Sequence, residues 1–251
     1  MSKKDLNILE NNKYLMMVGV YIKDIRLYHQ VIEEIKRRKL DYIEIFPGED
    51  DKDLIVLTDS PGIFKRYVIV VEAQSAVRSV IPRLYGKEKF HEIHIGIDPG
   101  MRVGVAVYGD GIFLEELELT DTYDLRRKIE EIVRGYGSRN VVLRIGKGDE
   151  PNRNRIINIL FGLYPIEIVD EYGTTSIKNR NTEAAKKIAM KRGKPVKGRM
   201  EIRARRGEIS EVQRKSRIAS NNLVTISREL ARRVVKGEID LEEAIEMQKK
   251  N

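Results

Sequence analysis

The chain has 251 residues, a formal net charge of +8, and 34% charged residues. This length suits one large domain or two small ones with a substantial core. The lack of cysteine excludes disulfides and thiolate metal sites. No run of about 18 apolar residues occurs, and the N-terminus has no apolar signal core, so we expect a cytoplasmic protein with no membrane partner.

Positive charge is concentrated towards the C-terminus. Between Ile177 and Lys236 there are 19 Lys and Arg against 5 Asp and Glu, a net +14 that leaves −6 on the remainder of the +8 chain. A basic segment on an otherwise acidic chain predicts a polyanion partner, and we expect nucleic acid. A solvated helical surface is the alternative explanation of the same charges.

The first predicted domain, residues 1–88, is a small α/β unit. Apolar periodicity predicts strands at 14–22, 41–46, 54–58 and 67–72, and helices at 24–39 and 73–84. Pro-Gly pairs at 47–48 and 61–62 mark the loops. No motif in this unit predicts chemistry, so the sequence leaves its role open.

The second predicted domain, residues 89–195, begins with three strands, at 92–98, 102–108 and 112–119. The pair Asp110-Gly111 is a strong hairpin signal between the last two. Helices and strands then alternate: a helix at 124–134, a strand at 141–145, a helix at 154–163, a strand at 166–170 and a helix at 182–192. The order β-β-β-α-β-α-β-α predicts an α/β fold with a mixed sheet and helices on both faces.

The third predicted domain, residues 196–251, is a basic helical tail with helices at 209–220, 227–236 and 241–248. Its basic segments contain no interleaved aromatic residues, which favours contacts with phosphates over base stacking. Arginines near the strand ends of the second domain could also bind phosphates or serve as ordinary surface charge. The residues predicted to contact nucleic acid are Arg102, Arg153, Arg155, Arg203, Arg205, Arg206, Arg214, Lys215 and Arg217.

Three carboxylates follow the ends of two predicted strands. Asp98 ends the strand at 92–98, and Asp170 and Glu171 end the strand at 166–170. If these strands are central and run the same way, their carboxyl ends converge. Clustered carboxylates without thiolates suit Mg²⁺ or Mn²⁺, and two such ions can activate water and stabilise the leaving oxygen of a phosphodiester. Each acid could instead only end a strand or cap a turn.

These carboxylates lie in motifs that resemble a known family. IGIDPGMRVGVAV, residues 95–107, resembles the first motif of the YqgF and RuvC group of ribonuclease H-like nucleases, an acidic residue followed by a glycine-rich hairpin. VDEYGTTS, residues 169–176, resembles the later YqgF motif, and VVLRIG, residues 141–146, stands where the family has its fourth strand. The resemblance covers residues 91–192. It implies a ribonuclease H-like fold and metal-dependent cleavage of branched DNA, such as a Holliday junction, or of precursor ribosomal RNA.

The chain departs from the family pattern at several positions. Glu183 is the only candidate for the family's last carboxylate on the final helix, and Lys186 stands where the resolvases have a second acid. Arg144 and Gly146 stand near the place of a resolvase glutamate. GIDPG is also similar to a phosphate loop of actin-like ATPases, but the second glycine-rich acidic loop that those enzymes need is missing.

Two functions therefore remain open at the level of sequence. In a nuclease, Asp98, Asp170 and Glu171 would hold Mg²⁺ or Mn²⁺, and Glu183 would be a fourth catalytic acid. Cleavage of a branched junction would favour a two-fold homodimer. The alternative is a non-catalytic protein that binds RNA or the ribosome and retains the fold.

Overall fold

The computed structural model describes residues 17–100, 102–120, 122–170 and 181–250. The chain divides into two units. The first comprises Met1–His91 and Glu130–Arg139, and the second comprises Glu92–Ile129 and Asn140–Asn251. Residues 130–139, which the sequence assigns to the second predicted domain, thus belong to the first unit. The predicted tail belongs to the second unit.

The first unit contains a parallel four-stranded sheet. Its elements are β1 (Met17–Tyr21), α1 (Ile25–Arg37), β2 (Tyr42–Glu44), β3 (Leu54–Thr58), β4 (Tyr67–Ile69) and α2 (Ala73–Leu84). The strand order is β2-β1-β3-β4. Strand β3 is buried from Ile55 to Thr58, as expected for a central parallel strand. Helix α1 begins at Ile25 because the Asp24 carboxylate accepts hydrogen bonds from the first free N–H groups.

The second unit contains a mixed six-stranded sheet. Its elements up to the end of the sheet are β5 (Glu92–Asp98), β6 (Val103–Gly109), β7 (Ile112–Leu119), the first part of α3 (Leu125–Tyr136), β8 (Asn140–Gly146), α4 (Glu150–Leu160), β9 (Ile166–Val169), α5 (Asn181–Met190) and β10 (Lys194–Pro195). From residue 130 onward, α3 belongs to the first unit. The strand order is β10-β9-β8-β5-β6-β7. Strands β8 and β9 run parallel to β5, and the other neighbours pair antiparallel. The prediction of an α/β fold with a mixed sheet is therefore confirmed.

Local sequence accounts for the β6–β7 hairpin. Asp110 and Gly111 have φ angles of 49° and 82°. Two consecutive residues with positive φ are required by the type I′ turn, whose twist matches that of paired strands. The predicted hairpin is confirmed.

A glycine allows helix α5 to lie directly on strand β5. A Cβ atom at Gly96 would be 2.1 Å from the Ala185 carbonyl oxygen and 2.5 Å from the Ala189 nitrogen. Because side chains alternate along a strand, Asp98 shares this helix-covered face with Gly96. Ile95 and Ile97 point to the opposite face and are fully buried.

Three further helices complete the second unit: α6 (Arg206–Ala219), α7 (Arg228–Val235) and α8 (Leu241–Lys249). They share a core that includes Val212, Leu230 and Ile245. The buried Asn158 links α4 to the segments on either side of α6 and α7. Its side-chain amide donates to the carbonyl oxygens of Met200 and Lys236 at 2.9 and 2.8 Å.

Some boundaries differ from the prediction. Helix α4 begins at Glu150 rather than 154, because the Asp149 carboxylate accepts from the Asn152 N–H and Pro151 fits the first turn. Helix α6 begins three residues before its predicted start at 209, and the short strand β10 was not predicted. Within the described ranges, no helix has the length and apolar character to cross a membrane.

Candidate functional site

Asp98 and Asp170 lie at the same edge of the mixed sheet. Ile97 of β5 pairs with Ile145 of β8, which pairs with Ile168 of β9. Asp98 is the last residue of β5 and is half-buried, and Asp170 follows the end of β9 and is exposed. Strand β8 separates the two backbones, which places them about 10 Å apart. Ile168 shares the face of Ile97, so alternation places Asp170 on the face opposite to that of Asp98. The two side chains can share a ligand only by reaching past the end of β8.

A lysine accompanies Asp170. Lys147 follows the end of β8, where its N–H donates to the Val169 carbonyl oxygen, and its Nζ is 3.3 Å from Asp170 Oδ2. The side chains of Lys147 and Asp170 are 58% and 53% exposed. Because water screens an exposed pair, this contact is worth less than about 1 kcal/mol. A more strongly bound cation can therefore replace the ammonium at Asp170.

The remaining motif residues extend beyond Asp170. Glu171, the third predicted metal ligand, lies outside the described residues, as do Thr174 and Thr175. In the described parts of the chain, no three His, Asp or Glu side chains form a group that could hold a metal ion. The described portion of the predicted metal set is Asp98 and Asp170.

Glu183 is bound to a lysine on its own helix. It lies in the first turn of α5, and its carboxylate is 2.8 Å from Lys186 Nζ. The same ammonium is 2.9 Å from Glu116 Oε2 of β7 and 4.8 Å from the centre of the Phe113 ring. Hydrogen bonds to Glu183 and Glu116 raise the pKa of Lys186 above its ordinary value. Lys186 thus neutralises Glu183, the predicted fourth catalytic acid.

Arg144 occupies the helix-covered face near the place where the resolvases have a glutamate. Its side chain is buried, with Nε 3.1 Å from Glu167 Oε2. It also donates to the Ala189 carbonyl oxygen near the end of α5, and Nη2 is 3.5 Å from His94 Nε2. These bonds tie α5 to the sheet, so Arg144 supports the position of the helix.

His94 is held in a partly buried, positively charged setting. Burial, followed by the charge of Arg144, lowers the pKa of His94 below its ordinary value. The Glu92 carboxylate, 3.4 Å from His94 Nε2, acts in the opposite direction. The neutral imidazole is therefore favoured in the folded chain.

Two of the arginines predicted to contact nucleic acid have structural partners. Arg153 donates to the Lys147 carbonyl oxygen at 3.0 Å. Arg155 donates to the Val235 carbonyl oxygen at 3.0 Å and to the Glu208 carboxylate at 2.6 Å. Their side chains are only 14% and 16% exposed. Both arginines therefore donate hydrogen bonds within the second unit and expose little of their side chains to a nucleic acid.

The other predicted contact residues lie nearer the surface. Arg102 pairs with Glu118, Arg214 pairs with Glu211, and Lys215 Nζ is 4.3 Å from the centre of the Tyr123 ring. Four exposed arginines have no ion pair to a carboxylate in the described chain, namely Arg203, Arg205, Arg206 and Arg217.

Just before these arginines lies a group of exposed cations that belongs to the basic segment 177–236 but is not among the predicted contact residues. Its members, too, form no ion pair with a described carboxylate: Lys187, Lys191, Arg192, Lys194 and Lys197. The available signal was local charge density, since residues 187–206 hold nine Lys and Arg against one acid, Glu201.

Comparison with known proteins bears on the C-terminal helices. A family model described as a three helical bundle domain matches residues 205–250, which contain α6, α7 and α8. No curated protein matches the chain. No solved structure matches it either. The match describes the helical bundle and does not extend to the strands that carry Asp98 and Asp170.

Proposed function

We propose that the protein is a metal-dependent nuclease of the YqgF/RuvC type, with a ribonuclease H-like domain over residues 91–192. Its substrate is structured RNA, such as precursor ribosomal RNA, or branched DNA. The observation that carries this proposal is the placement of Asp98 and Asp170 at one edge of the sheet, on parallel strands separated only by β8. Ligand sites of open α/β sheets lie at this carboxyl edge.

The sheet supports the proposed fold. An antiparallel meander of β5, β6 and β7 precedes two strands parallel to β5, which is the element order that the sequence predicts for this domain. Helix α5 follows β9 along the chain and packs on β5. In the proposed fold, α5 corresponds to the family's final helix and covers the face of the sheet that carries Asp98.

The donor set fits a hard divalent cation in its chemistry. Asp98 and Asp170 supply carboxylate oxygens, and Glu171 would supply a third, whereas the chain has no thiolate. When bound, Mg²⁺ or Mn²⁺ would activate water and stabilise the leaving oxygen of a phosphodiester. The role of Asp98 and Asp170 is to position that charge. Glu183 would join them as a carboxylate that already shares one oxygen with Lys186.

The second candidate is a non-catalytic protein that binds RNA or the ribosome. Two ion pairs favour it, those of Lys147 with Asp170 and of Lys186 with Glu183. In both, a lysine already neutralises an acid that a nuclease would use. In this case the carboxylates serve the fold, and nucleic-acid binding is the entire activity.

The decisive experiment compares the full chain with its Asp98→Asn variant. Each is incubated with Mg²⁺ or Mn²⁺ and labelled structured RNA or four-way DNA junctions, and Mn²⁺ binding is measured by electron paramagnetic resonance. We expect wild-type protein to bind Mn²⁺ and cleave a substrate, and Asp98→Asn to lose both with an unchanged circular dichroism spectrum. The substitution removes charge with little change in side-chain volume.

Glu229→Gln is the matched control. Glu229 pairs with Arg232 on α7, so its loss removes one exposed, paired carboxylate that lies outside the sheet and outside the proposed metal set. We expect this variant to retain Mn²⁺ binding and cleavage. If wild-type protein binds no Mn²⁺ and leaves every RNA and DNA substrate intact, the nuclease proposal is wrong and the binding protein stands.

A further inference from the structure

Exposed cations line the chain from the end of α5 to the start of α6. Eight of them form no ion pair with any described carboxylate, and we call them the cationic ribbon: Lys187, Lys191, Arg192, Lys194, Lys197, Arg203, Arg205 and Arg206. Other exposed cations without such an ion pair, for example Lys65, Arg139 and Arg228, are scattered along the described chain, whereas the eight of the ribbon fall within residues 187–206, which hold one acid. The ribbon therefore keeps its charge available for a partner.

We infer that the cationic ribbon binds the phosphate backbone of single-stranded RNA. The inference rests on nucleic acid as the partner in the proposed function and does not depend on cleavage. Because the ribbon contains no aromatic residue, contacts with phosphates supply the binding, with little selectivity for base sequence.

The backbone of the ribbon favours a single strand. No helical residue lies between 191 and 205, Lys194–Pro195 is a strand, and Arg205 has extended backbone angles of φ −90° and ψ 152°. Arg192 and Lys194 are two residues apart, as are Arg203 and Arg205. In extended chain such residues emerge on the same side, about 6.6–6.8 Å apart. This arrangement suits one run of phosphates, whereas a groove of a duplex is entered by a helix or a β-ribbon.

The ribbon passes close to the candidate carboxylates. Lys194 of β10 pairs with Ile168 of β9, and Asp170 follows two residues later. Strand geometry places the Cα atoms of Lys194 and Asp170 roughly 8 Å apart. A single RNA strand bound along the ribbon would therefore lie next to the sheet edge that carries Asp98 and Asp170.

Two other roles explain less of the pattern. Lys194 and Pro195 on an edge strand also protect that edge from pairing with another sheet, but this accounts for only one of the eight cations. Attachment to an anionic membrane surface relies on a basic helix with an exposed apolar face, and most of the ribbon is not helical.

The test is a salt titration of the full chain on labelled oligouridine of about 16 nucleotides, with EDTA present. The ribbon variant combines Arg192→Gln, Lys194→Gln and Lys197→Gln. Its control combines Lys52→Gln, Arg232→Gln and Lys249→Gln, which removes the same charge and residue types from exposed, acid-paired positions. Each phosphate contact contributes about −0.7 to the slope of log affinity against log salt on a single strand. Loss of three contacts should therefore make the slope of the ribbon variant less negative by about 2. The control should keep the wild-type slope.

Each outcome decides the inference. Equal slopes for the ribbon variant and its control would show a general charge effect and overturn the assignment. An equal loss of slope on duplex RNA would overturn the single-strand assignment, and a matching loss on phosphatidylserine vesicles would point to a membrane surface. Because EDTA removes divalent ions, Asp98→Asn should bind as wild type does. A chain that binds through the ribbon but never cleaves would refute only the nuclease proposal.

Discussion

Glu183 and Lys186 lie one turn apart on α5, and the lysine ammonium is 2.8 Å from the Glu183 carboxylate. Glu116 Oε2 lies 2.9 Å from the same nitrogen. The ammonium supplies positive charge between two acids, so Glu183 already has its counter-ion. In the proposed nuclease, this relationship favours a metal set of Asp98, Asp170 and Glu171 without Glu183.

Lys186→Met should destabilise the fold. The change removes the ammonium that Glu183 and Glu116 share, and we expect the free energy of unfolding to fall by about 1–2 kcal/mol at neutral pH. Because the folded-state pKa of Lys186 is raised, its contribution is full below about pH 10.5 and is lost as the pH rises through the folded-state pKa. Urea denaturation of wild type and variant across this range measures both effects.

Lys187→Met is the control for that experiment. Lys187 is the next residue of α5, is exposed, and has no ion pair with a described carboxylate. Its substitution should change stability by less than about 0.5 kcal/mol. Equal losses at the two positions would show that the Glu183 and Glu116 contacts do not stabilise the chain.

Gly96→Ala should be strongly destabilising. The new Cβ would lie 2.1 Å from the Ala185 carbonyl oxygen, a backbone atom that cannot rotate away. Helix α5 must therefore shift from β5, at a cost of about 3 kcal/mol or more. The matched change is Gly207→Ala in α6, where a Cβ meets nothing within 4 Å. Because alanine loses less conformational freedom than glycine on folding, the free energy of unfolding should rise by about 0.5–1 kcal/mol. Thermal unfolding compares the two, and a neutral Gly96→Ala would disprove the close helix–strand contact.

Much of the fold could be predicted because its signals are local. The alternating Ile93, Ile95 and Ile97 mark strand β5, and Asp110-Gly111 specifies the turn between β6 and β7. Strand β10 could not be predicted, since two exposed residues have no periodicity and pair with β9 only through tertiary placement. The assignment of residues 130–139 to the first unit also depends on packing that no local pattern records.

The candidate site divides in the same way. Acids at the ends of parallel strands share an edge by geometry, so the placement of Asp98 and Asp170 follows from the element order. The partner that Lys186 finds in Glu116 lies on a distant strand, and sequence spacing carries no sign of it. The hydrogen bonds of Arg155 to Glu208 and Val235 also join residues far apart in the sequence and could not be predicted from it.

His94 should make stability pH-dependent. Its pKa is lowered in the folded chain, so below about pH 6.5 the unfolded chain binds more protons. The free energy of unfolding should then fall with acidification, by at most about 1.4 kcal/mol per pH unit from this group, until the folded-state pKa is reached. The charged groups facing His94 are Glu92, Arg144, Glu167 and Arg192.

Urea denaturation between about pH 5 and 8 measures this effect. His94→Gln should flatten the pH dependence in that window, because glutamine does not titrate. His91→Gln changes an exposed histidine three residues away and should leave the dependence as in wild type. If the two variants give the same curve as wild type, His94 does not link folding to protonation.

Asn158→Ala should loosen the attachment of the C-terminal helices to α4. The asparagine donates to the Met200 and Lys236 carbonyl oxygens and accepts from the Met200 N–H at 2.7 Å, all in a buried setting. Its removal leaves these backbone groups unpaired, and we expect the free energy of unfolding to fall by about 2–4 kcal/mol. Truncation after 195 would remove the same partners, so point variants in the full chain are the sounder test of nucleic-acid binding.

The control is Asn154→Ala, at a half-exposed position of the same helix, which should lower the free energy of unfolding by less than about 1 kcal/mol. Limited proteolysis should cleave Asn158→Ala near residues 196–204 faster than wild type or Asn154→Ala. Equal cleavage of all three would show that Asn158 does not hold this segment in place.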